Sequence, residues 1–269
     1  MANNTKVVVV TGVSSGIGRA TAEMFIERGC EVFGTVRNLE KANPIDGVKF
    51  VEMDVRDERS IQQAIKAIIA QTERIDVLIN SAGTTLLGAT EESSVAEGQS
   101  LFDTNVWGVL RTIQAVLPFM RQQRSGRIVN ISSVLGFLPA PYMALYSASK
   151  HAVEGLSETL DHEIRDFGIR VSLVEPSFTK TNLDINAPLA ANLIPIYDAT
   201  RETVTNSIVQ NVQKAPSPEW VASTVINAAL GPWRMRHTPK GEASLLRKFR
   251  RFMPFNPVDK GIRKTFGIK

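Results

Sequence analysis

The sequence predicts an α/β fold: a single domain built on a doubly wound parallel sheet with helices on both faces. Three observations lead to it. Short apolar runs without polar alternation recur along the chain, as strands buried on both faces require. Stretches of helical periodicity separate most of these runs and would carry right-handed crossovers between parallel strands. A glycine-rich turn, Gly12 to Gly18, joins the first run to the first helix. A length of 269 residues suits one large α/β core, and no shift in composition marks a second domain.

Lys6–Thr11, with four consecutive valines, is the first strand, and Ile17–Arg28 is the first helix, closed by Gly29. Glu31–Val36 and Val48–Met53 are the next two strands. Asp57–Gln71 is a helix because Ile61, Ala64, Ile65, Ile68 and Ile69 recur at helical spacing. Ile75–Asn80 is a fourth strand, and a helical region from Ser94 to Gln123 leads to a fifth, Gly126–Ile131. A helix over Tyr146–Phe167 and a strand over Arg170–Glu175 complete the regular part. After Pro176 the pattern loosens, with helices expected over Tyr197–Lys214 and Pro218–Leu230. Residues 182–215 follow the carboxyl end of a strand, where open α/β sheets bind ligands. They read either as a substrate lid or as a surface excursion.

Composition narrows the function. With 43% hydrophobic and 22% charged residues the chain is neither disordered nor fibrous. The single cysteine, Cys30, cannot form an internal disulfide, which suits a reducing compartment. Its place beside an apolar run makes it an inert thiol rather than a nucleophile. The polar start, Met1 to Lys6, and the lack of any run of about 18 apolar residues read as a cytoplasmic protein. His151, His162 and His237 show no ligand spacing, so no metal is expected.

The net charge of +4 hides an asymmetry: residues 234–269 carry +9 and the remainder −5. Within that basic C-terminal extension, Leu245–Met253 interleaves Leu, Phe and Met with Arg and Lys. It could pack on the body or on a second subunit of a homo-oligomer, or lie on a membrane surface. Nucleic acid is not expected as a partner, because no binding module accompanies the charge.

Two groups of residues carry chemistry. Gly12, Ser14, Ser15, Gly16, Ile17 and Gly18 form a loop between strand and helix. There the backbone approaches a pyrophosphate and free N–H groups of a helix N-terminus meet it. The strand Glu31–Val36 ends without a carboxylate but runs into Arg37. A guanidinium there binds a 2′-phosphate bidentately, so NADP(H) is preferred over NAD(H). Asp54 and Val55 end the third strand, where the aspartate either caps the adenine amino group or serves the following helix as an N-cap. Tyr146 and Lys150 stand at i and i+4, on one helix face. A fixed positive charge there would lower the phenol's pKa from about 10 toward the range of acid–base catalysis. Ser132 and Ser133 end a strand, so a hydroxyl emerges at the sheet edge, where it can bond a substrate oxygen or close a turn.

Together these residues resemble the short-chain dehydrogenase/reductase family, from Lys6 to about Leu230. Five motifs stand in the family's order: Thr11-Gly12-x-x-x-Gly16-x-Gly18, Asn80-Ser81-Ala82-Gly83, Asn105 within Asn-Val-Trp-Gly, the Ser132-Ser133 strand end, and Tyr146-x-x-x-Lys150. The resemblance implies a Rossmann-like fold and an NAD(P)-dependent oxidoreductase. It implies that Tyr146 is the general acid in reduction and the base in oxidation. Lys150 would hold the nicotinamide ribose and depress the Tyr146 pKa. Ser133, rather than Ser132, would orient the substrate oxygen. Asn105 would interrupt its helix and hold a water linking Lys150 to solvent. Asn80, Ala82 and Gly83 would shape the adenosine side. Pro176 begins the segment that meets the nicotinamide carboxamide through the Thr179 backbone and the Thr181 hydroxyl. A basic residue at the Arg37 position goes with NADP(H) in the family. One departure is Ser177, where relatives carry glycine, which puts the path of that loop in question because glycine has the easiest access to φ > 0.

By position, Leu135, Gly136, Phe137, Leu138, Pro139, Met143, Phe178, Leu183 and Leu193 line the substrate pocket. Mostly apolar and without a cationic cluster, they suit a lipophilic ketone or alcohol, steroid-, retinoid- or fatty-chain-like, better than a sugar phosphate. Arg236 to Gly241 and the Leu/Arg-rich run after it also resemble family members that act on such compounds. The main competing readings are a non-catalytic nucleotide-binding sensor or scaffold and an NAD(H)-dependent variant of the same chemistry. A third is an epimerase or dehydratase with tightly held nicotinamide. A scaffold has no use for Asn105, Ser133, Tyr146 and Lys150 together, and no sugar-nucleotide domain is present to support the third. The same proton and hydride path serves both directions of reaction.

Overall fold

The fold is taken from a computed structural model, which describes residues 5–250 and 254–268. Seven parallel strands form one sheet: β1 (Val7–Thr11), β2 (Glu31–Val36), β3 (Val48–Glu52), β4 (Val77–Asn80), β5 (Gly126–Ile131), β6 (Ile169–Val174) and β7 (Arg236–His237). Their order is β3-β2-β1-β4-β5-β6-β7, so the winding reverses between β1 and β4. Both neighbours pair with β1 in parallel register, Val8 opposite Val32 on one side and Val77 on the other. That reversal opens a crevice outside the carboxyl ends of the strands, the usual ligand site of such sheets.

The valines of β1 show why the strand runs carry no polar alternation. Val7 and Val9 face a layer built by α2 (Glu58–Thr72), α4 (Gly108–Gln123) and α5 (Ala144–Ile164), packing with Ile65, Ile113 and Leu160. Val8 and Val10 face the opposite layer of α1 (Gly16–Glu27) and α8 (Pro218–Leu230), with Phe25 and Val225. Alternate side chains therefore enter two different cores, and both must be apolar.

Most expected helices lie within a few residues of their observed bounds. Asp57 is the N-cap of α2, its side chain accepting from the Arg59 N–H. The expected helix over Ser94–Gln123 is divided. A capping box of Ser94 and Glu97 opens α3 (Val95–Phe102), a π-helical turn follows at Asp103–Trp107, and α4 continues from Gly108. Residues 182–215 contain a short helix, α6 (Asn182–Ile185), and α7 (Asp198–Lys214). The stretch between them is fastened to the body: Leu87 bridges Leu189, Glu92 accepts from the Ile194 N–H, and Arg201 forms a buried ion pair with Glu92.

Periodicity did not foresee β7 or the last two helices, α9 (Glu242–Arg250) and α10 (Phe255–Thr265). Of the alternatives open for the basic extension, its described part packs on the body. Ala243 is buried against Val134 and Leu138, with Leu246 and Val258 beside them. Phe266 is buried in a cluster with Tyr146 and Ile208. Residues 251–253 of the Leu245–Met253 segment lie outside the described residues. No helix among the described residues is long and apolar enough to cross a membrane.

Candidate active site

The glycine loop is shaped by a close contact between two strand ends. Gly12 adopts φ +73°, and a Cβ there would sit 2.8 Å from the Ala82 Cα. The Thr11 hydroxyl accepts from the Ser81 and Ala82 N–H groups at 3.0 and 2.9 Å, locking the end of β1 to the loop after β4. Gly16 has φ +59°, and Thr181 Cγ2 lies 3.2 Å from where its Cβ would be. The loop that opens α1 therefore meets the loop after β6 across the crevice. Ser15 caps α1 in extended geometry with no side-chain hydrogen bond to the helix. The first N–H groups of α1 are thus left to a ligand.

These elements border one cavity of about 720 Å³. Gly12, Ser14, Ser15, Gly16, Ile17 and Gly18 line it, as do Arg37, Asp54, Val55, Ala82 and Gly83. Ser133, Tyr146, Lys150, Pro176, Thr179 and Thr181 line its other end. A cradle of glycine backbone at a helix N-terminus beside an exposed arginine, running into a buried Tyr–Lys pair, fits an extended dinucleotide. Arg56, overlooked in the sequence, also borders the cavity, its guanidinium 3.0 and 2.6 Å from the two Asp54 oxygens. Hydrogen bonds from Arg56 hold the Asp54 carboxyl below its usual range. Asp54 is therefore not the N-cap of α2, which is Asp57.

At the inner end, Tyr146 and Lys150 lie one turn apart on α5, the ammonium 5.6 Å from the centre of the phenol ring. Lys150 Nζ donates to the Ile131 carbonyl at 2.8 Å. The residues alone do not produce the expected lowering of the Tyr146 pKa. Burial, with a smaller push from the Asp184 charge, moves the phenol above its usual value; a hydrogen bond with Ser133 acts the other way. Burial also brings Lys150 down to about 8. Burial thus opposes the charged form of both side chains. Ser133 caps the turn Val134–Gly136 through the Leu135 N–H. Ser132 has Glu154 as its polar neighbour, and Glu154 is itself pushed up to about 7 by burial.

A sequence profile of the short chain dehydrogenases matches residues 6–191. The chain belongs to the short-chain dehydrogenase/reductase family. It is 42% identical over 181 residues to a 3-ketodihydrosphingosine reductase of Bacteroides thetaiotaomicron, a match spanning 67% of this chain and 66% of that protein. It is 34% identical to the uncharacterised oxidoreductase YusZ of Bacillus subtilis, over 84% of this chain and 85% of the relative. Among solved structures, a short-chain dehydrogenase from Streptomyces avermitilis superposes with a TM-score of 0.81 at 32% identity, covering 98% of this chain and 96% of that one. A Burkholderia phymatum member in complex with NAD gives 0.78 at 26% identity, over 93% and 95% of the two chains. ElxO with NADP bound gives 0.73 at 28%, over 87% and 97%. The chain is thus an oxidoreductase of a nicotinamide-dependent family.

Within this short-chain dehydrogenase fold, two expected site residues stand outside the cavity lining. Asn80 donates to Asn130 at 2.9 Å and accepts from Thr112 at 2.7 Å, so its amide ties β4 to β5 and α4. Asn105 lies in the π-helical turn that breaks the α3–α4 rod, in keeping with the interruption expected there. Its amide exchanges hydrogen bonds with the Thr84 backbone at 2.8 and 2.9 Å and donates to Ser149 at 3.2 Å. Asn105 thus braces the loop after β4 against α5. Ser177 does not adopt positive φ, so the missing glycine imposes no strain.

The substrate end departs from expectation more. Leu135, Leu138, Pro139, Met143, Phe178 and Leu183 line the cavity, but Gly136, Phe137 and Leu193 do not, and Leu193 is exposed. The missed wall is the C-terminal extension: Leu246 from α9, and Val258, Ile262 and Phe266 from α10 and its end. A signal for it was present, since Val258, Ile262 and Phe266 recur every fourth residue and share a helix face. Ion pairs fasten this roof. Arg236 of β7 binds Glu154 at 3.0 Å and Glu175 at 3.1 Å, and Arg247 of α9 binds Glu175 at 3.3 Å. Among the described residues no group of three His, Cys, Asp or Glu could hold a metal.

Proposed function

We propose that the protein is an NADP(H)-dependent reductase of a lipophilic ketone, with Tyr146 as the proton donor. One observation carries the reading: Ser133, Tyr146 and Lys150 stand at the inner end of a cavity whose outer wall is apolar and roofed by α9 and α10. The bound nicotinamide would supply a hydride to the carbonyl carbon and become oxidised. Tyr146 would give its proton to the oxygen, which closes the balance from ketone to secondary alcohol. Ser133 would hold that oxygen during transfer. Gly12 to Gly18 would bind the pyrophosphate, and Lys150 the ribose hydroxyls. Burial keeps Tyr146 in the neutral form that a reduction consumes. The ketone class is supported by the apolar walls and by the 3-ketodihydrosphingosine reductase among the relatives. A homo-oligomer belongs to the same reading, with half-exposed Trp107 as apolar surface for a second copy. So does membrane-surface contact through exposed Leu245 and its basic neighbours, since a lipophilic substrate resides in lipid.

Fluorescence titration of the protein with NADPH and NADH tests the cofactor half. Arg37 is exposed at the rim and forms no ion pair among the described residues, so NADPH is expected to bind at least tenfold tighter. Arg37→Ser should remove about 1.5 to 3 kcal/mol of that preference, the value of hydrogen bonds to a charged group. Equal affinity for both nucleotides in the wild type would overturn the assignment. For the substrate half, Phe266→Ala opens the roof beside Tyr146 and Phe178. Loss of about 1.5 kcal/mol of apolar contact should raise KM for a long-chain ketone roughly tenfold, with a much smaller change for a short one. An identical change for both chain lengths would remove α10 from the substrate wall.

A further inference from the structure

Beside Tyr146 and Lys150 the cavity is lined by a charged group that the reaction above does not use. Asp184 lies on α6, just after Thr181, and lines the chamber together with Tyr146 and Lys150. Its charge is felt by both of those residues. Among the described residues its side chain forms no hydrogen bond or ion pair, whereas Asp54, at the other end of the cavity, is paired with Arg56, and the third lining carboxylate, Glu242, belongs to the roof helix α9. Lys150 forms no ion pair with it, and its ammonium donates to the Ile131 carbonyl. Burial lifts the Asp184 carboxyl above its usual range, with the Lys150 charge acting the other way.

A carboxylate only accepts hydrogen bonds, so the group it matches is a donor, and a cation best of all. Leu135, Met143, Leu183, Leu246 and Ile262 line the same chamber and suit a hydrocarbon chain. We propose that Asp184 is the specificity residue of this site, binding a protonated amine on the carbon next to the carbonyl that Tyr146 protonates. The substrate is then a long-chain α-amino ketone and the product a long-chain amino alcohol. This deepens, and rests on, the lipophilic-ketone reading.

The test compares two substrates with NADPH: a long-chain α-amino ketone, and the same ketone with hydrogen in place of the amine. The wild-type protein is expected to favour the amino ketone by ~10-fold or more in kcat/KM, the size of one charge-assisted hydrogen bond. Asp184→Asn should shrink that ratio to within about twofold. The same ratio can be read from equilibrium binding of the amino alcohol and the plain alcohol to the NADP⁺-loaded protein, which covers a variant too slow to assay. Turnover of both ketones without preference, or a preference that survives Asp184→Asn, overturns the role of Asp184 alone. Turnover of neither ketone by the wild type overturns the lipophilic-ketone reading and the inference with it.

Discussion

Tyr146→Phe is expected to lower kcat for ketone reduction by about 10² to 10⁴-fold, the contribution of a positioned general acid. That corresponds to about 3 to 5 kcal/mol of activation barrier. The substitution removes one oxygen and keeps the ring, which packs with Met143, Ile208 and Phe266, so the roof should stay in place. NADPH affinity, read by fluorescence, should change by no more than about twofold, because the glycine loop and Arg37 lie at the far end of the cavity. The pH profile adds a second check. Reduction requires the protonated phenol, and burial holds that form above the usual tyrosine range. Reduction in the wild type should therefore be flat through neutrality and fall only as the pH climbs through the phenol's pKa; oxidation should gain over the same window. A Phe variant retaining more than a tenth of wild-type kcat would remove Tyr146 from the chemistry.

The largest effect on stability is expected at Asp161. Its side chain is fully buried on α5 and accepts from the Val171 N–H at 2.9 Å and from Arg170 at 3.0 and 2.9 Å. Arg165 adds a contact at 3.3 Å, and the Arg170 guanidinium stacks on Trp233 at 3.3 Å. One carboxylate thus joins α5 to the start of β6. Asp161→Ala leaves a buried N–H without its acceptor and a half-covered guanidinium without its counter-charge. A cost of about 3 kcal/mol follows, short of a fully buried pair because Arg170 keeps some contact with water. For a chain of this size that lowers Tm by roughly 5 to 10 °C. The Arg170 and Val171 hydrogen bonds hold the Asp161 carboxyl below its usual range against the opposing effect of burial. Its folded pKa is depressed, so this stabilisation is present above the unfolded value and is lost as the pH falls toward the folded one. The gap in Tm between wild type and Asp161→Ala should accordingly narrow in acid. A loss under 2 °C at neutral pH would show that the interaction is replaced.

How far the sequence could be read depended on the range of the interactions involved. β1, α1 and the turn between them follow from local chemistry: consecutive valines demand burial on both sides, and glycines permit the contact with Ala82. The i, i+4 spacing of Tyr146 and Lys150 is likewise local, since any α-helix places the two on one face. Asn80 marks the limit of motif reading. Its partners, Thr112 and Asn130, come from elements 32 and 50 residues away, and only folding shows that the amide is spent between strands. Arg56 pairs with Asp54 only two residues away; what the spacing leaves unsaid is that the turn between β3 and α2 sets both at the edge of the cavity.

The sequence by itself determined six of the seven strands, the two helical layers and the order of the family motifs, because burial on both faces of a strand, period-3.6 burial and short-range spacing are written directly into the chain. Tertiary structure alone decided where the basic C-terminal extension goes, since its charge and its apolar stripe suit several partners equally until Val134, Leu138 and Tyr146 are in place to receive it. It also decided the electrostatics of the site. The pKa of Tyr146 and the exposure of the Asp184 carboxylate to the chamber depend on burial, and burial is a property of everything packed around a residue rather than of its neighbours in sequence.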